Sequence, residues 1–223
     1  MSARTRTGVV VAIDGPSGSG KSSTSRQVAR RLGLRYLDTG AMYRAMTWWM
    51  LRQDVPVDDS DAVAARCGEP VIGSGTDPMA PTITVDDVDV AAAIRTPEVT
   101  DAVSAVSAVP QVRARLLELQ RRAIDGGGIV VEGRDIGSVV APDADVKVYL
   151  TADPAARAAR RSAEEGGSDL GATQSSLLAR DHIDSTRLAS PLTMAAGAIH
   201  LDTTPYTLDE VVDLIVGLVE AAR

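Results

Sequence analysis

One nine-residue segment constrains the fold of this chain more than any other feature. Residues 15–23 read Gly-Pro-Ser-Gly-Ser-Gly-Lys-Ser-Ser and match the pattern G-x-x-x-x-G-K-[ST] at every fixed position. They follow an apolar run at residues 9–13 and precede a helical pattern at residues 21–32, which is the strand–loop–helix context of a phosphate-binding loop. A glycine- and serine-rich surface loop is the alternative, which the flanking strand and helix disfavour. We therefore expect an α/β protein that binds a nucleotide through its phosphates.

The residue types in this loop each suit a polyphosphate. Glycines let backbone N–H groups curl around phosphate oxygens, and the N-terminus of the following helix adds partial positive charge. Lys21 brings a full charge close to the β- and γ-phosphates, and the hydroxyl of Ser22 or Ser23 can reach Mg²⁺. Only Lys21 and Lys147 among the 23 basic residues are lysines. The position of one of them in this loop strengthens the interpretation.

Composition narrows the possible classes of protein. A chain of 223 residues with 44% hydrophobic residues can form one domain with an ample core, built without Phe from Val, Leu, Ile and Ala. The net charge of −7 argues against nucleic-acid binding through bulk electrostatics. The lone Cys67 excludes an intramolecular disulfide, and with only His182 and His200 a His/Cys zinc site is not expected. Without an apolar run of transmembrane length or a signal peptide, we expect a cytoplasmic protein with no membrane partner.

Short apolar runs alternate with helical patterns along the chain. The predicted strands are residues 9–13, 35–37, 129–132, 146–150 and 198–201. The predicted helices are residues 21–32, 41–52, 112–125, 154–164, 173–184 and 208–222. Such alternation predicts parallel βαβ units, and hence a single three-layer domain over residues 1–223 with a central five-stranded parallel sheet.

One segment departs from this alternation. Residues 68–96 are rich in Pro and Gly and end in an alternating run at residues 82–90, where Asp86-Asp87 indicates a β-hairpin. An antiparallel hairpin does not belong to a parallel core. The segment is therefore either an insert that covers one side of the site or a surface excursion of the chain with no functional role. Gly126, Gly127 and Gly128 precede a strand, so we expect them to end a helix rather than form a second phosphate loop.

Two further groups of polar residues follow predicted strands. Thr39 and Arg44 flank a helix start after the second strand, and Gly133, Arg134 and Asp135 leave the third. Ligands of open α/β sheets bind beyond the carboxyl ends of the strands, so these side chains are candidates for anion binding. A local ion pair between Arg134 and Asp135 is the alternative.

Arginines with helical spacing follow the fourth strand. Residues 157, 160 and 161 share one helix face, and residues 180, 184 and 187 share another. Residues 164–171, which contain two glycines in succession, form a flexible connection between them. Two arginine-bearing helices on a hinge suit a lid that neutralises phosphate charge and excludes water. A solvated, salt-bridged helix pair is the alternative.

Taken together, the motifs resemble those of the bacterial cytidylate kinases, which are P-loop nucleoside monophosphate kinases with an insert near the acceptor nucleotide. The matching segments are Gly-Pro-Ser-Gly-Ser-Gly-Lys, Leu-Asp-Thr-Gly-Ala-Met-Tyr-Arg, Glu-Gly-Arg-Asp-Ile-Gly and Arg-Asp-x-x-Asp-x-x-Arg. They occur in the order typical of the family, over residues 9–219. Ser22-Ser23 replaces the Gly-Thr of some members, so the resemblance leaves open which hydroxyl meets Mg²⁺.

The resemblance implies transfer of the γ-phosphoryl group of ATP to CMP or dCMP with Mg²⁺, by a monomer that does not bind nucleic acid. It places a small α/β acceptor-binding insert at residues 68–104 and lid helices at residues 153–187. Residues implied to hold the ATP phosphates are Gly15, Ser17, Gly18, Ser19, Gly20, Lys21, Ser22 and Ser23. Residues implied to bind CMP are Thr39, Arg44 and Arg134 at the phosphate, Ser104, Arg113 and Asp135 at the base, and Arg180 and Asp184 at the sugar. Lys21 and the lid residues Arg157, Arg161 and Arg187 are implied to be catalytic.

Three other classes of protein share parts of this pattern. A regulatory GTPase should carry an Asn-Lys-x-Asp segment, which the sequence lacks. A small-molecule P-loop kinase, such as one acting on shikimate, shares the loop and lid but has less use for residues that read cytosine. A non-catalytic nucleotide-binding module is disfavoured by the intact Lys21 and the lid arginines.

Overall fold

The computed structural model describes residues 8–164 and 166–222, which form two sheets and the helices around them. The strands are β1 Val10–Asp14, β2 Arg35–Asp38, β3 Ile72–Ser74, β4 Ile83–Val85, β5 Val88–Asp89, β6 Ile129–Gly133, β7 Val146–Thr151 and β8 Ile199–Asp202. The helices are α1 Lys21–Leu32, α2 Thr39–Arg52, α3 Ser60–Arg66, α4 Pro97–Ala108, α5 Pro110–Ile124, α6 Pro154–Glu164, α7 Leu170–Thr186 and α8 Leu208–Ala221.

The large sheet has five strands in the order β2-β6-β1-β7-β8, and all its pairings are parallel. Successive residues of a strand face opposite sides, so the central strand β1 supplies two cores. Val10 and Ala12 pack with α2, α4 and α5, whereas Val11 and Ile13 pack with α1 and α8. The predicted three-layer α/β fold with a central five-stranded parallel sheet is confirmed.

Helix ends explain where the sequence prediction and the structure differ. The sequence predicts that the second helix begins at residue 41, but α2 begins at Thr39. The Asp38 carboxylate accepts a hydrogen bond from the Ala41 N–H and so caps the first turn two residues earlier. The sequence prediction missed α3 and α4 and began α5 two residues late. Pro97 and Pro110 stand in the first turns of α4 and α5, a position that proline favours and that could have located both starts.

The segment that departs from the alternation forms a small antiparallel sheet of β3, β4 and β5. Asp86 and Asp87 connect β4 to β5 with φ of 50° and 64°, so the predicted hairpin is confirmed with the left-handed turn typical of tight connections. A 3₁₀ turn at Ala93–Arg95 leads into α4, which runs beyond residue 104 to Ala108.

Parallel strands bring their carboxyl ends to one edge, where Asp14 lies opposite Gly133 and Asp38 lies opposite Glu132. A π-helical turn at Ile136–Val140 follows β6. The buried Asp14 carboxylate accepts hydrogen bonds from the N–H groups of Ile136 and Gly137, each at 2.8 Å, although its burial raises its pKa to about 6. The end of β1 therefore fixes the start of the loop after β6. Across residues 8–164 and 166–222, the helices are too short or too polar to span a bilayer.

Candidate active site

A single cleft at the carboxyl edge of the large sheet gathers almost every residue that the sequence analysis selected. The predicted residues that line it are Ser17, Gly18, Gly20, Lys21, Ser22, Ser23, Thr39, Arg44, Ser104, Arg113, Arg134, Asp135, Arg161, Arg180, Asp184 and Arg187. Gly15, Ser19 and Arg157 do not line the cleft. Gly15 and Arg157 contact lining residues, Arg134 and Ser17, and Ser19 is buried within the loop. Residues more than 150 positions apart in the chain thus share one cavity.

The loop between β1 and α1 has the backbone that a phosphate cradle needs. Gly15, Gly18 and Gly20 have backbone φ angles of 146°, 75° and 87°. Residues that carry a Cβ rarely adopt such angles. A Cβ on Gly15 would lie 2.0 Å from the Leu150 carbonyl oxygen, so β7 also requires glycine there. The Ser19 hydroxyl donates to the Pro16 carbonyl at 3.0 Å and closes the loop from inside.

Lys21 begins α1 and is 7% exposed. Its Nζ donates to the Pro16 carbonyl at 2.6 Å, which holds the ammonium group inside the loop. Burial, and then the nearby Arg134 guanidinium, lower the pKa of Lys21 to about 7. A polyanion bound in the loop would oppose both effects and favour the charged ammonium.

Glu132 is a buried carboxylate that joins the two sides of the cleft, and the sequence analysis did not select it. Its Oε2 accepts from the Ser22 hydroxyl at 3.0 Å, and its Oε1 accepts from the Tyr36 hydroxyl. Its backbone carbonyl accepts from the Thr39 hydroxyl at 2.7 Å. Burial, and then the nearby Asp38 charge, raise the pKa of Glu132 to about 7. A polar residue at the end of a buried strand beside the phosphate loop was the available signal.

Arg134 and Asp135 each have a different partner in the structure. They do not form the local ion pair that the sequence left as an alternative. Arg134 Nε donates to Asp184 Oδ2 at 2.9 Å, and Arg134 Nη1 donates to the Gly15 carbonyl at 2.9 Å. The Asp135 carboxylate accepts from Arg113 Nη2. Arg134 thus links the phosphate loop to α7, while Asp135 faces α5.

Arg113 and Asp135 form a buried pair, with side chains 8% and 6% exposed. The Arg113 guanidinium lies 5.3 Å from the centre of the Tyr43 ring and donates to the Ser107 carbonyl at 3.2 Å. Ser104, on the preceding helix, is also buried in the cleft wall. This end of the cleft therefore offers a flat ring, a planar donor and a carboxylate acceptor, a set that suits a polar heterocycle.

The guanidinium groups of Arg44, Arg134 and Arg180 line the cleft and lie close enough to affect one another's pKa. Burial, and then the Arg180 charge, lower the pKa of Arg44 to about 9. Burial, and then the Arg134 charge, lower the pKa of Arg180 to about 10. Among the described residues, Arg180 Nε and Arg187 Nη2 are buried without a hydrogen-bond partner. Like charges held close together with buried unpaired donors favour an anionic ligand at this point.

The lid arginines divide between different partners. Arg157 is 4% exposed and pairs with Asp181 of α7, and Arg161 lines the cleft and pairs with Glu164 at 3.4 Å. Arg160 donates twice to Thr203, at 2.8 Å to its hydroxyl and 2.8 Å to its carbonyl, on the far side of the loop. The helices α6 and α7 pack on each other. Of the predicted connection at residues 164–171, residue 165 lies outside the described part of the chain.

Comparisons with known proteins agree with this geometry. Among solved structures, an uncharacterized protein from Eubacterium ventriosum aligns with a TM-score of 0.53 at 11% identity, covering 96% of this chain and 98% of that one. A gluconokinase from Sinorhizobium meliloti aligns with a TM-score of 0.50 at 17% identity, covering 98% and 95%. At these identities the likeness concerns the fold alone.

Sequence relatives are much closer. The cytidylate kinase of Streptomyces avermitilis is 60% identical over 223 residues, covering 99% of this chain and 96% of the relative. Those of Rhodococcus opacus and Mycobacterium leprae are 54% and 48% identical, covering 92% and 96% of this chain and 91% and 96% of the relatives. A family model described as cytidylate kinase matches residues 11–221. With the phosphate loop, the buried Arg113–Asp135 pair and the arginine cluster meeting in one cleft, the chain belongs to the cytidylate kinase family.

Proposed function

We propose that this protein transfers the γ-phosphoryl group of ATP to CMP or dCMP, giving ADP and CDP or dCDP. The observation that carries the proposal is that the Arg113–Asp135 pair lines the same cleft as the phosphate loop and the arginine cluster. A nucleoside monophosphate has a base, a sugar and a phosphate, and the cleft holds candidate partners for each of them. Membership of the cytidylate kinase family supports the same acceptor.

The reaction needs little acid–base chemistry from the protein. The acceptor phosphate is already a nucleophile near neutral pH, so alignment and charge neutralisation supply the catalysis. On the donor side, the loop N–H groups and Lys21 bind the phosphates. On the acceptor side, Thr39, Arg44 and Arg134 bind the monophosphate, and Arg180 and Asp184 meet the sugar. Guanidinium groups suit these roles because their planar fork binds phosphate through two hydrogen bonds.

The lid residues Arg157, Arg161 and Arg187 complete the proposed catalytic set. Arg161 and Arg187 both line the cleft. Their charge would neutralise the three equatorial oxygens of the phosphoryl group during transfer. Arg157 is held at the loop backbone by α7, so it would act from the donor side.

Magnesium is the proposed cofactor, and the residues present fit it. Mg²⁺ prefers oxygen ligands and keeps few protein ligands when substrate phosphates are available. Ser22 lines the cleft, and its Oγ donates a hydrogen bond to the buried Glu132 carboxylate, so the lone pairs of the oxygen are available to a cation. We therefore favour Ser22 over Ser23 as the hydroxyl that holds Mg²⁺. The ion would neutralise charge on the β- and γ-phosphates.

The remaining parts of the proposal concern organisation. We propose that residues 68–104 act as an insert on the acceptor side and residues 153–187 as a lid, within a single domain. We also propose a monomeric enzyme of the cytoplasm, where ATP and CMP are available, that binds nucleotides rather than nucleic acids. Light scattering on the purified protein would measure the monomeric state.

A coupled ADP-release assay tests the activity directly. With Mg²⁺ and ATP, we expect turnover with CMP and dCMP and much less with UMP, AMP, GMP or shikimate. Chelation of Mg²⁺ should abolish turnover, and added Mg²⁺ should restore it. Preference for shikimate, or ATP hydrolysis that no acceptor stimulates, would contradict the proposal.

Lid closure predicts a change in hydrogen exchange. The connection between α6 and α7 contains Gly166 and Gly167, which have φ of 80° and 98° and are both exposed. We expect its amides to exchange rapidly in the free protein and to be protected when a bisubstrate analogue binds, because closure buries them. The amides of β6 serve as the control, since a central strand should stay protected in both states. Equal exchange of the connection in both states would make α6 and α7 a static wall of the cleft.

A further inference from the structure

Asp181 lies on α7 between two residues of the cleft wall, yet its carboxylate faces the phosphate loop. Its Oδ1 accepts a hydrogen bond from the Ser17 backbone N–H at 3.3 Å, and its Oδ2 pairs with Arg157 Nη1. The Asp181 side chain is 17% exposed and that of Arg157 is 5% exposed. The resemblance assigns no role to Asp181, although this residue is the first aspartate of the Arg-Asp-x-x-Asp-x-x-Arg segment.

The ion pair holds both backbone polar groups of one loop residue. Arg157 Nη1 also donates to the Ser17 carbonyl at 3.0 Å, so Ser17 is bound through its N–H by Asp181 and through its C=O by Arg157. A Cβ on Gly18 would lie 3.0 Å from the Arg157 carbonyl oxygen, which shows how closely α6 packs against the loop. Two helices, α6 and α7, therefore converge on a single residue of the loop.

The carboxylate occupies groups that a phosphate would use. Backbone N–H groups of such a loop are phosphate donors, and a carboxylate oxygen is the side-chain acceptor most similar to a phosphate oxygen. Asp181 also pairs with Nη1 of Arg157, a guanidinium that would otherwise neutralise the donor. A negative charge at this point repels an incoming polyphosphate and competes for both groups.

We propose that Asp181 sets the affinity for the donor, acting as an internal anion that the donor phosphates displace from Ser17 and Arg157. This inference rests on the proposed function only in that the loop binds a donor polyphosphate. The donor binds more weakly than it would without Asp181, because its phosphates must first break the contacts of the carboxylate with Ser17 and Arg157. In exchange, the loop and the lid are held together before the donor arrives.

The test is the dissociation constant of a non-hydrolysable β,γ-imido analogue of ATP with Mg²⁺, measured by calorimetry. Removing the charge in Asp181→Asn should tighten binding by about threefold to tenfold, the size expected for relief of one partly buried charge contact. Asp181→Ser should do the same, whereas Asp181→Glu retains the charge and should not tighten binding. Glu164→Gln removes another carboxylate of the cleft that pairs with Arg161, and it should give a smaller gain.

The sign of the change separates competition from a structural role. If Asp181 served only to position Arg157, Asp181→Asn and Asp181→Ser would weaken binding or leave it unchanged, and either result would overturn the inference. An equal gain in Glu164→Gln would also overturn it, because general electrostatic attraction would then explain the effect. Failure of the wild-type protein to bind the analogue would contradict the donor site itself, and hence the proposed function as well.

Discussion

Replacing Lys21 with alanine should lower the kcat for CMP phosphorylation by about two to four decades, the scale of a lost preorganised charge contact. The ammonium group is held inside the loop by the Pro16 carbonyl and lies beside the buried Arg134 and Glu132. Its charge counts most while negative charge moves between donor and acceptor oxygens. The KM for CMP should change much less than kcat, because the acceptor phosphate is bound by other cations.

The matched control for this prediction is Lys147→Ala, which removes the other lysine of the chain. Lys147 lies on β7 and its Nζ donates to the Ala196 carbonyl at 3.4 Å, away from the loop. We expect its kcat to stay within about twofold of the wild type, as for most substitutions outside a site. Initial rates at saturating ATP and CMP give both values. Near-normal turnover of Lys21→Ala would remove the basis for a P-loop kinase mechanism.

Asp135→Asn should reduce the preference for CMP over UMP by about 1–3 kcal/mol, the usual size of one buried polar mismatch. Cytosine presents an amino donor at N4, which a carboxylate accepts, whereas uracil presents an oxygen that would face the same carboxylate. An asparagine amide can turn and donate to that oxygen. The Arg113 guanidinium, paired with Asp135, is placed to donate to N3 or O2 of cytosine.

The measured quantity is the ratio of kcat/KM for CMP to that for UMP, in the wild type and the variant. Loss of the buried pair with Arg113 would lower both values, so only the ratio reports on the base. Asp184→Asn is the matched control, because it alters the same cleft at the residue assigned to the sugar, which CMP and UMP share. Its ratio should be unchanged. If Asp135→Asn also left the ratio unchanged, Asp135 would have no role in reading the base.

Local patterns predicted most of the fold because each element carries its own signal. The phosphate-loop motif and the alternation of apolar runs with helical patterns are both local in sequence, and the structure contains both. The elements that were missed, α3, α4 and the π-helical turn, lie where helices are short or begin at proline. Their stability comes from tertiary packing, of α4 against α2, of α3 against α4 and α5, and of the π-helical turn against β1, β6 and α5.

The site was predicted less completely, for a related reason. Lys21, Arg134 and Asp135 were selected because they stand in motifs at strand ends, and all of them line the cleft. Their partners were not predictable, because a side chain pairs with what the topology brings near it. Arg134 meets Asp184 and Asp135 meets Arg113, residues 50 and 22 positions away in the chain.

By itself, the sequence determined the phosphate loop, the strands of the large sheet with most of the helices around them, and the family to which the chain belongs. These depend on residue types at short spacings, where φ preferences, capping and periodicity act locally. The tertiary structure alone decided that Glu132 joins Ser22 to Tyr36 and that Asp181 holds Ser17 with Arg157. Such contacts depend on which carboxylates remain buried once the strands align and the lid helices pack. Charge pairs form between neighbours in space, and only the folded chain defines those neighbours.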